Sequence, residues 1–580
     1  MRVYVKGTGK EVNLNQRDFV AQGGEGKIFA HGGMAYKVYH DPAHMIPVGK
    51  IQELAAITDP RVIRPQHVLT DKRGKPIGYT TRFVRDATAL CQLFPKSFRE
   101  RESVSHEMVQ KLVRQLQHTV TDVHRAGILV VDLNEMNFLV TRNFQDLYAI
   151  DVDSYQTPHY KATAIMESIR DWTVSHHQWT ENSDWFSFAV VTFQMFTGIH
   201  PFKGMYRGSN VSYRKKLTSD DPNDCFAVTR RRMVDHVSVF DPNVKVPAAI
   251  YPYDVIPAAY RAWYEALFTK GDRCAPPTDF TAAIIILPTV KTVTGTDQLE
   301  IIEIGNYEGG IKHLWSDGNK LVVVTDKGVW LDHNRVAVAG AKTIGACAVT
   351  PRGGRFVVMD RQSNPPLLFN VTDRQPVDFL LEVDETASCD GRIYVRSGEH
   401  VYEVVMTDMG NTVVASTKTA VNVVRHASKL YPGVVVQSLL GSVYVSLLTA
   451  PGVAHQVRIK ELDEYRVLEA KYDGGVLMVV GTKGGKYDRL IFRFASDNTY
   501  DIRKVEDITP TGLNFVTLDS GVCVCLTEEE KLELFSAKRG STAVKVVEDK
   551  ALSGDMILGK KAGTLLFARG DKVYTMRMKP

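Results

Sequence analysis

The sequence predicts an α+β domain over residues 1–285, a linker over 286–297, and an all-β domain of repeated units over 298–580. Three observations predict it. Short β-like runs fill the first 90 residues, a helical apolar period then appears at 105–125 and 184–197, and strand-and-turn patterning takes over after residue 297. At 580 residues the chain exceeds what one core holds, at roughly 150 residues per domain.

Taken in order, the N-terminal stretch MRVYVKGTGKEVNLNQ interleaves charge with short apolar pieces and lacks the apolar core of a secretory signal, so export is not expected. The segment FVAQGGEGKIFAHGGMAYKVYH sets a glycine cluster between two strand-like runs, with Lys37 shortly after. Gly23, Gly24 and Gly26 allow a hairpin backbone to lie close over phosphates, which Lys37 would reach as a point charge. An ordinary glycine-rich hairpin beside a surface lysine fits the same residues. Glu53, in KIQELAAI, lies where it could turn inward to orient Lys37, or else face solvent.

From Ser105 to Arg125, Val109, Leu112, Val113, Leu116, Val120 and Val123 recur at spacings of three and four, which places them on one buried stripe of a helix ended by Gly127. Directly after it, ILVVDLNEMNFLV holds a polar turn containing Asp132 and Asn137 between apolar runs. Phosphoryl transfer needs a carboxylate for the hydroxyl proton and an amide to help hold metal, and Asp-x-x-x-x-Asn supplies both. LYAIDVDSYQ then places Asp151 and Asp153 after another apolar strand, two carboxylates able to bind Mg²⁺ through oxygen. Asp184 to Phe196 is apolar nearly all round, so that helix is expected inside the domain and ends at Thr197-Gly198.

Beyond the small, polar linker stretch Lys291–Asp297 come seven strand pairs with turns at Asp317-Gly318, Gly353-Gly354, Asp390-Gly391, Gly441, Asp473-Gly474, Asp519-Ser520-Gly521 and Ala562-Gly563. Their spacing of about 41 residues is that of a propeller blade, which predicts a seven-bladed β-propeller. The strand QLEIIEIG, Gln298–Gly305, stands ready to close the ring by supplying the last unit's missing outer strand. The uncharged stretch Tyr431–Ala454 reads as two strands and a turn rather than a membrane span, because polar residues interrupt it.

Composition narrows the function classes. The 71 Lys and Arg against 66 Asp and Glu leave a formal +5, too small over this surface to indicate a nucleic-acid or membrane partner. Seven cysteines without a CxxC pair argue against a zinc or redox site and for a reducing compartment. His176 and His177 lack a third ligand and read as solvated side chains.

With these motifs in order, residues 17–285 resemble the protein-kinase superfamily, closest to divergent kinase-like proteins of bacteria and their phages. The resemblance implies a bilobal α+β kinase-like domain with ATP and Mg²⁺ as cofactors. It matches Gly23, Gly26 and Ile28 to the glycine-rich loop, Lys37 to the phosphate-contacting lysine, Glu53 to its helix partner and Asp132 to the catalytic aspartate. Asn137 and Asp151 match the metal ligands, with Asp153 a competing assignment in Asp-Val-Asp, where Asp-Phe-Gly is usual. Asp184 matches the buried aspartate of the central helix, and Arg273 a late arginine that closes the lobe. Departures are equally specific: Ala21 stands at the first loop glycine, Val130 and Val131 at the usual His-Arg, Asn134 at a lysine, and no Ala-Pro-Glu lies between Asp153 and Asp184. The resemblance implies a cytoplasmic Ser/Thr protein kinase of a bacterium or phage-infected cell whose propeller selects a protein partner. The alternative is a pseudokinase-propeller scaffold, as in a phage particle, with vestigial nucleotide binding.

Overall fold

The first hundred residues build a twisted sheet. Arg2–Val5 (β1), Glu11–Asn13 (β2), Phe19–Gln22 (β3), Gly26–His31 (β4), Met34–Tyr39 (β5), His67–Thr70 (β6) and Pro76–Arg82 (β7) pair in the order β2-β1-β6-β7-β5-β4-β3. The two-residue turn joining β4 to β5 is Gly32-Gly33, with φ of 59° and 81°, the left-handed backbone that such hairpins require. A computed structural model describes the chain except for residues 163, 176–177, 215–223, 279–297, 319, 337–342, 352–353, 411 and 580. The predicted linker, His176, His177 and Gly353 therefore lie outside the described residues.

Helices follow. Val48–Leu54 (α1) and Lys96–Arg101 (α2) are short, and His106–Arg125 (α3) is the long amphipathic helix that the periodicity predicts. The Ser105 side chain caps α3 by accepting from the Met108 amide, and Val109, Leu112, Val113, Leu116, Val120 and Val123 are all buried. Ala87–Ala89 (β8), ahead of α2, pairs with Phe138–Thr141 (β9), after α3, and with Leu147–Ala149 (β10) this makes a small sheet in the order β10-β9-β8. Glu181–Thr197 (α4) starts in a capping box between Thr180 and Ser183, stops at Gly198 with φ of 82°, and is buried from Ser183 onward. Asp224–Val234 (α5) and Ala258–Glu265 (α6) complete the set.

From Leu299 onward the chain forms seven four-stranded antiparallel sheets. Six are consecutive meanders, and the seventh joins Ile557–Lys561, Thr564–Arg569 and Lys572–Met578 with Leu299–Asn306, in register Leu299↔Met578 through Asn306↔Lys572. Of the predicted turns, Gly441 is the second turn of its sheet, the first being made at Gly433.

The expected fold class is corrected by this arrangement. The chain is mostly β, 41% strand against 18% helix, with six α-helices among the described residues. Its strands fall into separate sheets, seven of them four-stranded, and neither a bilobal α+β kinase pattern nor a single closed propeller is what they display. The physical reason is that turn spacing fixes where a sheet starts and stops, whereas backbone hydrogen bonds end at each sheet's edge. How sheets meet is decided by side-chain packing, which the turn residues do not encode. Packing also runs across the expected boundary. The core around α3 and α4 extends to Leu468, Val480, Tyr487 and Ile508. Helix α2 inserts among three of the sheets. Ser97 Oγ donates to Glu469 at 3.2 Å, Glu102 pairs with Arg361 at 3.5 Å, and the Lys429 ammonium lies 5.4 Å from the Phe98 ring. No helix among the described residues is long and apolar enough to cross a membrane.

Candidate active site

Strand alternation along β5 sends Lys37 and Tyr39 to the same side. The Lys37 ammonium is buried and donates to Asp153 Oδ2 at 2.7 Å, Asp151 Oδ1 at 2.9 Å and Glu25 Oε2 at 3.1 Å. The Tyr39 hydroxyl donates to the same Asp153 oxygen at 2.6 Å, and the buried Lys50 ammonium, from α1, donates to the Asp153 carbonyl at 2.6 Å. Burial alone would discharge Lys37, but Asp153 and Asp151 outweigh it and hold its pKa above the ordinary lysine value. Burial likewise opposes the charge on Asp153, and Lys37 with Tyr39 overcomes it, keeping this carboxyl below the usual range. Asp151 is pushed the other way by the protein crowded around it and by the charge of its neighbour Asp153, although half of its side chain stays open to solvent.

The two aspartates differ in exposure. The Asp153 side chain is 3% exposed and that of Asp151 52% exposed, with Asp151 held in the left-handed region at φ 58°. Asp153 is thus the buried anchor of Lys37, and Asp151 the carboxylate that faces outward.

The Ile150 amide donates to the Asn137 carbonyl at 2.8 Å, which sets Asn137 beside Asp151. Asn137 Nδ2 donates to the Asp132 carbonyl at 3.0 Å and approaches Asp132 Oδ2 at 3.4 Å. Asn134 Nδ2 also reaches that oxygen, at 2.9 Å, while the Met166 amide donates to Asp132 Oδ1 at 2.9 Å. Burial raises the Asp132 pKa despite these donors. Beneath the loop, the fully buried Asp184 accepts from the amides of Val130 at 2.8 Å and Val131 at 2.9 Å and pairs with His124 Nε2 at 2.8 Å. Val131 has φ of 60°, a conformation costly for a β-branched residue, and the Asp184 carboxylate fixes it there.

Lys37 with Asp151, and Asn137 with Asp132, therefore form two contacting pairs joined through the Ile150 amide on the Asn137 carbonyl, with Asp153 beside Lys37. Gly23, Gly24 and Gly26 flank it in the β3–β4 turn, closed by the Gly23 amide on the Gly26 carbonyl at 2.9 Å, while Ile28 follows on β4. The turn's contribution is Glu25, which the glycine motif did not single out. Glu53 is not brought to Lys37. The inward stripe of α1 is Lys50, Ile51 and Leu54, and Glu53 instead accepts from His159 Nδ1 at 2.7 Å. Arg273 finds a carboxylate in Asp171, its Nη2 donating at 3.0 Å, a pairing that no motif announced. Tyr39 was legible from its i+2 spacing to Lys37. The Met166 amide carried no sequence signal, because backbone groups are the same at every residue.

The donor set fits a hard divalent cation. Three carboxylates, Glu25, Asp151 and Asp153, converge on the Lys37 ammonium, and with Lys50 on the Asp153 carbonyl negative charge is still in excess. Asn137 spends its amide nitrogen on Asp132, which leaves its amide oxygen as the second oxygen donor. No protein-family model matches the chain, and no curated protein matches it.

Proposed function

We propose that the chain is an ATP- and Mg²⁺-dependent phosphotransferase of protein-kinase type that acts on a serine or threonine hydroxyl of a protein. The observation that carries this reading is the pair of contacts Lys37–Asp151 and Asn137–Asp132, joined by the Ile150 amide on the Asn137 carbonyl, which supplies a phosphate-binding cation, two oxygen donors for metal and a proton-accepting carboxylate. Lys37 would position phosphates, and Asn137 with Asp151 would hold Mg²⁺, which when bound neutralises charge on the transferred phosphoryl group. Asp132, kept in place by Asn137 and by the loop that Asp184 fixes, would orient the acceptor hydroxyl and accept its proton. Asp153 would hold Lys37 in position.

A scaffold that binds nucleotide without turnover is the second reading, and one observation favours it. Both Asp132 oxygens already accept hydrogen bonds, Oδ1 from the Met166 amide and Oδ2 from Asn134. An acceptor hydroxyl would have to displace or share the Met166 contact. Binding comes before this choice and has its own test. Mg²⁺-ATP at 100 times its Kd should stabilise the protein by about 2.7 kcal/mol, and Lys37→Ala should remove most of that shift. A wild-type melting curve unmoved by millimolar Mg²⁺-ATP would refute both nucleotide readings.

A further inference from the structure

We propose that Arg170, Arg230 and Lys486 form a recognition subsite for an acidic protein segment, placed beside Asp132 so that residues flanking the acceptor hydroxyl dock on it. The proposal rests on the phosphotransferase reading for its purpose and on the following geometry for its existence. The Arg170 guanidinium lies 4.2 Å from the centre of the Trp172 ring, and that of Arg230, on α5, lies 4.9 Å from the same ring. Phe226 sits 6.5 Å from Trp172, and the Lys486 ammonium lies 5.8 Å from Phe226. Three cations thus gather around two aromatic rings.

None of the three forms an ion pair among the described residues, and Arg170 Nε is buried without a hydrogen-bond partner. Asp171 is taken by Arg273 and Thr173, and Glu167 accepts from Trp172 Nε1 through its carbonyl at 3.1 Å while its carboxylate acts on Arg170 without forming an ion pair among the described residues. Burial and the charge of Arg230 lower the Arg170 pKa against the opposing charges of Glu167 and Asp171, so two like charges are held together here at a cost. A carboxylate supplied by a partner would relieve that repulsion and complete charge-assisted hydrogen bonds to guanidiniums already stacked on the indole.

The subsite's place follows from its neighbours. Arg170 lies four residues beyond Met166, whose amide holds Asp132. Lys486 follows Gly485, which packs so closely on this segment that a Cβ there would stand 2.5 Å from Met166 Cγ. One cation therefore comes from the C-terminal sheets, which gives those sheets a direct part in choosing the acceptor. Two guanidiniums on one indole and an ammonium on the adjoining phenyl ring make a point site, unlike the extended basic track that a polynucleotide's phosphates require.

The test uses the full chain without nucleotide and reads fluorescence anisotropy of three labelled probes: a serine peptide flanked by glutamates, the same peptide flanked by lysines, and a 20-residue oligothymidylate. The acidic peptide should bind in a salt-sensitive manner, weaken at least about tenfold in Arg170→Ala/Arg230→Ala, and weaken less in Lys486→Ala, while Arg170→Lys retains part of the affinity. The Mg²⁺-ATP melting shift should persist in all of these variants. Equal binding of the acidic and lysine-flanked peptides, tighter binding of the oligonucleotide, or wild-type affinity in the double variant would overturn the proposal. If the double variant loses its cooperative melt, Lys486→Ala and Arg170→Lys decide the matter by the same readout. Because the peptides are read without nucleotide, absence of the wild-type Mg²⁺-ATP shift refutes the nucleotide readings and leaves the acidic-segment subsite to stand or fall on the peptide data.

Discussion

Asp151 and Asp153, two residues apart in one turn, are given different work by their burial, and substitution separates the two roles. Asp153→Asn leaves Lys37 and Tyr39 without the charge they converge on, and breaking a buried pair in this way costs about 3–5 kcal/mol. Its melting temperature should fall sharply with or without ligand. The sign with pH follows from the depressed pKa: the Asp153 contribution is present above the ordinary aspartate value of 3.8 and is lost as pH falls through the lower folded value. Asp151→Asn, at a half-exposed position, should leave the melting temperature nearly unchanged and instead weaken the Mg²⁺ dependence of nucleotide binding. Asp132 titrates in the opposite direction from Asp153. Its raised pKa means that the proton-accepting form is lost on acidification earlier than for an ordinary aspartate, so the acid limb of the rate profile should lie above pH 3.8. The residue types at these positions were legible from the sequence, because Asp-x-x-x-x-Asn and a paired Asp-Val-Asp after apolar strands admit few other uses. Which aspartate is buried was not, since both follow the same strand and the left-handed backbone at Asp151 decides which of them turns inward.

At the scale of elements, the glycines of the β3–β4 turn have unequal reasons to be there. A Cβ on Gly26 would stand 2.4 Å from the Val38 carbonyl, whereas nothing lies within 4 Å of one on Gly23 or Gly24. Gly26→Ala should therefore destabilise the hairpin by about 1–3 kcal/mol, and Gly24→Ala should stay within about 0.5 kcal/mol of wild type, as chemical denaturation would measure. Retained stability in Gly26→Ala would mean that β4 and β5 part more readily than their register indicates. Helices α3 and α4 were legible nearly to their ends, because each carries its own cap and periodic stripe. Helix α1 shows where pattern reading stops. Lys50 and Glu53 lie three residues apart on a seven-residue helix, and the choice between them depends on the Asp153 carbonyl that accepts from Lys50, a group far away in sequence.

At the scale of the molecule, the C-terminal sheets are bound into the helical core. The Tyr487 hydroxyl donates to the buried Glu135 in the turn between Asp132 and Asn137, and Lys203 pairs with Asp507 at 2.6 Å. Turn periodicity placed the sheets but contained no sign of these contacts, because each joins residues more than 300 positions apart. Tyr487→Phe removes a donor from a buried carboxyl group, and should cost about 1–3 kcal/mol while leaving a single cooperative transition. Two separate transitions in the wild type would instead show that the regions fold independently. The account's central claim is that Lys37, Asp151, Asn137 and Asp132 transfer phosphate, and the most direct measurement is γ-phosphoryl transfer from radiolabelled Mg²⁺-ATP to the protein itself and to a serine peptide flanked by glutamates. The account predicts transfer by the wild type that drops about 10²–10⁴-fold in Asp132→Asn while the Mg²⁺-ATP melting shift survives. Wild-type protein that binds Mg²⁺-ATP yet transfers no phosphate, or an Asp132→Asn variant as active as wild type, would contradict it.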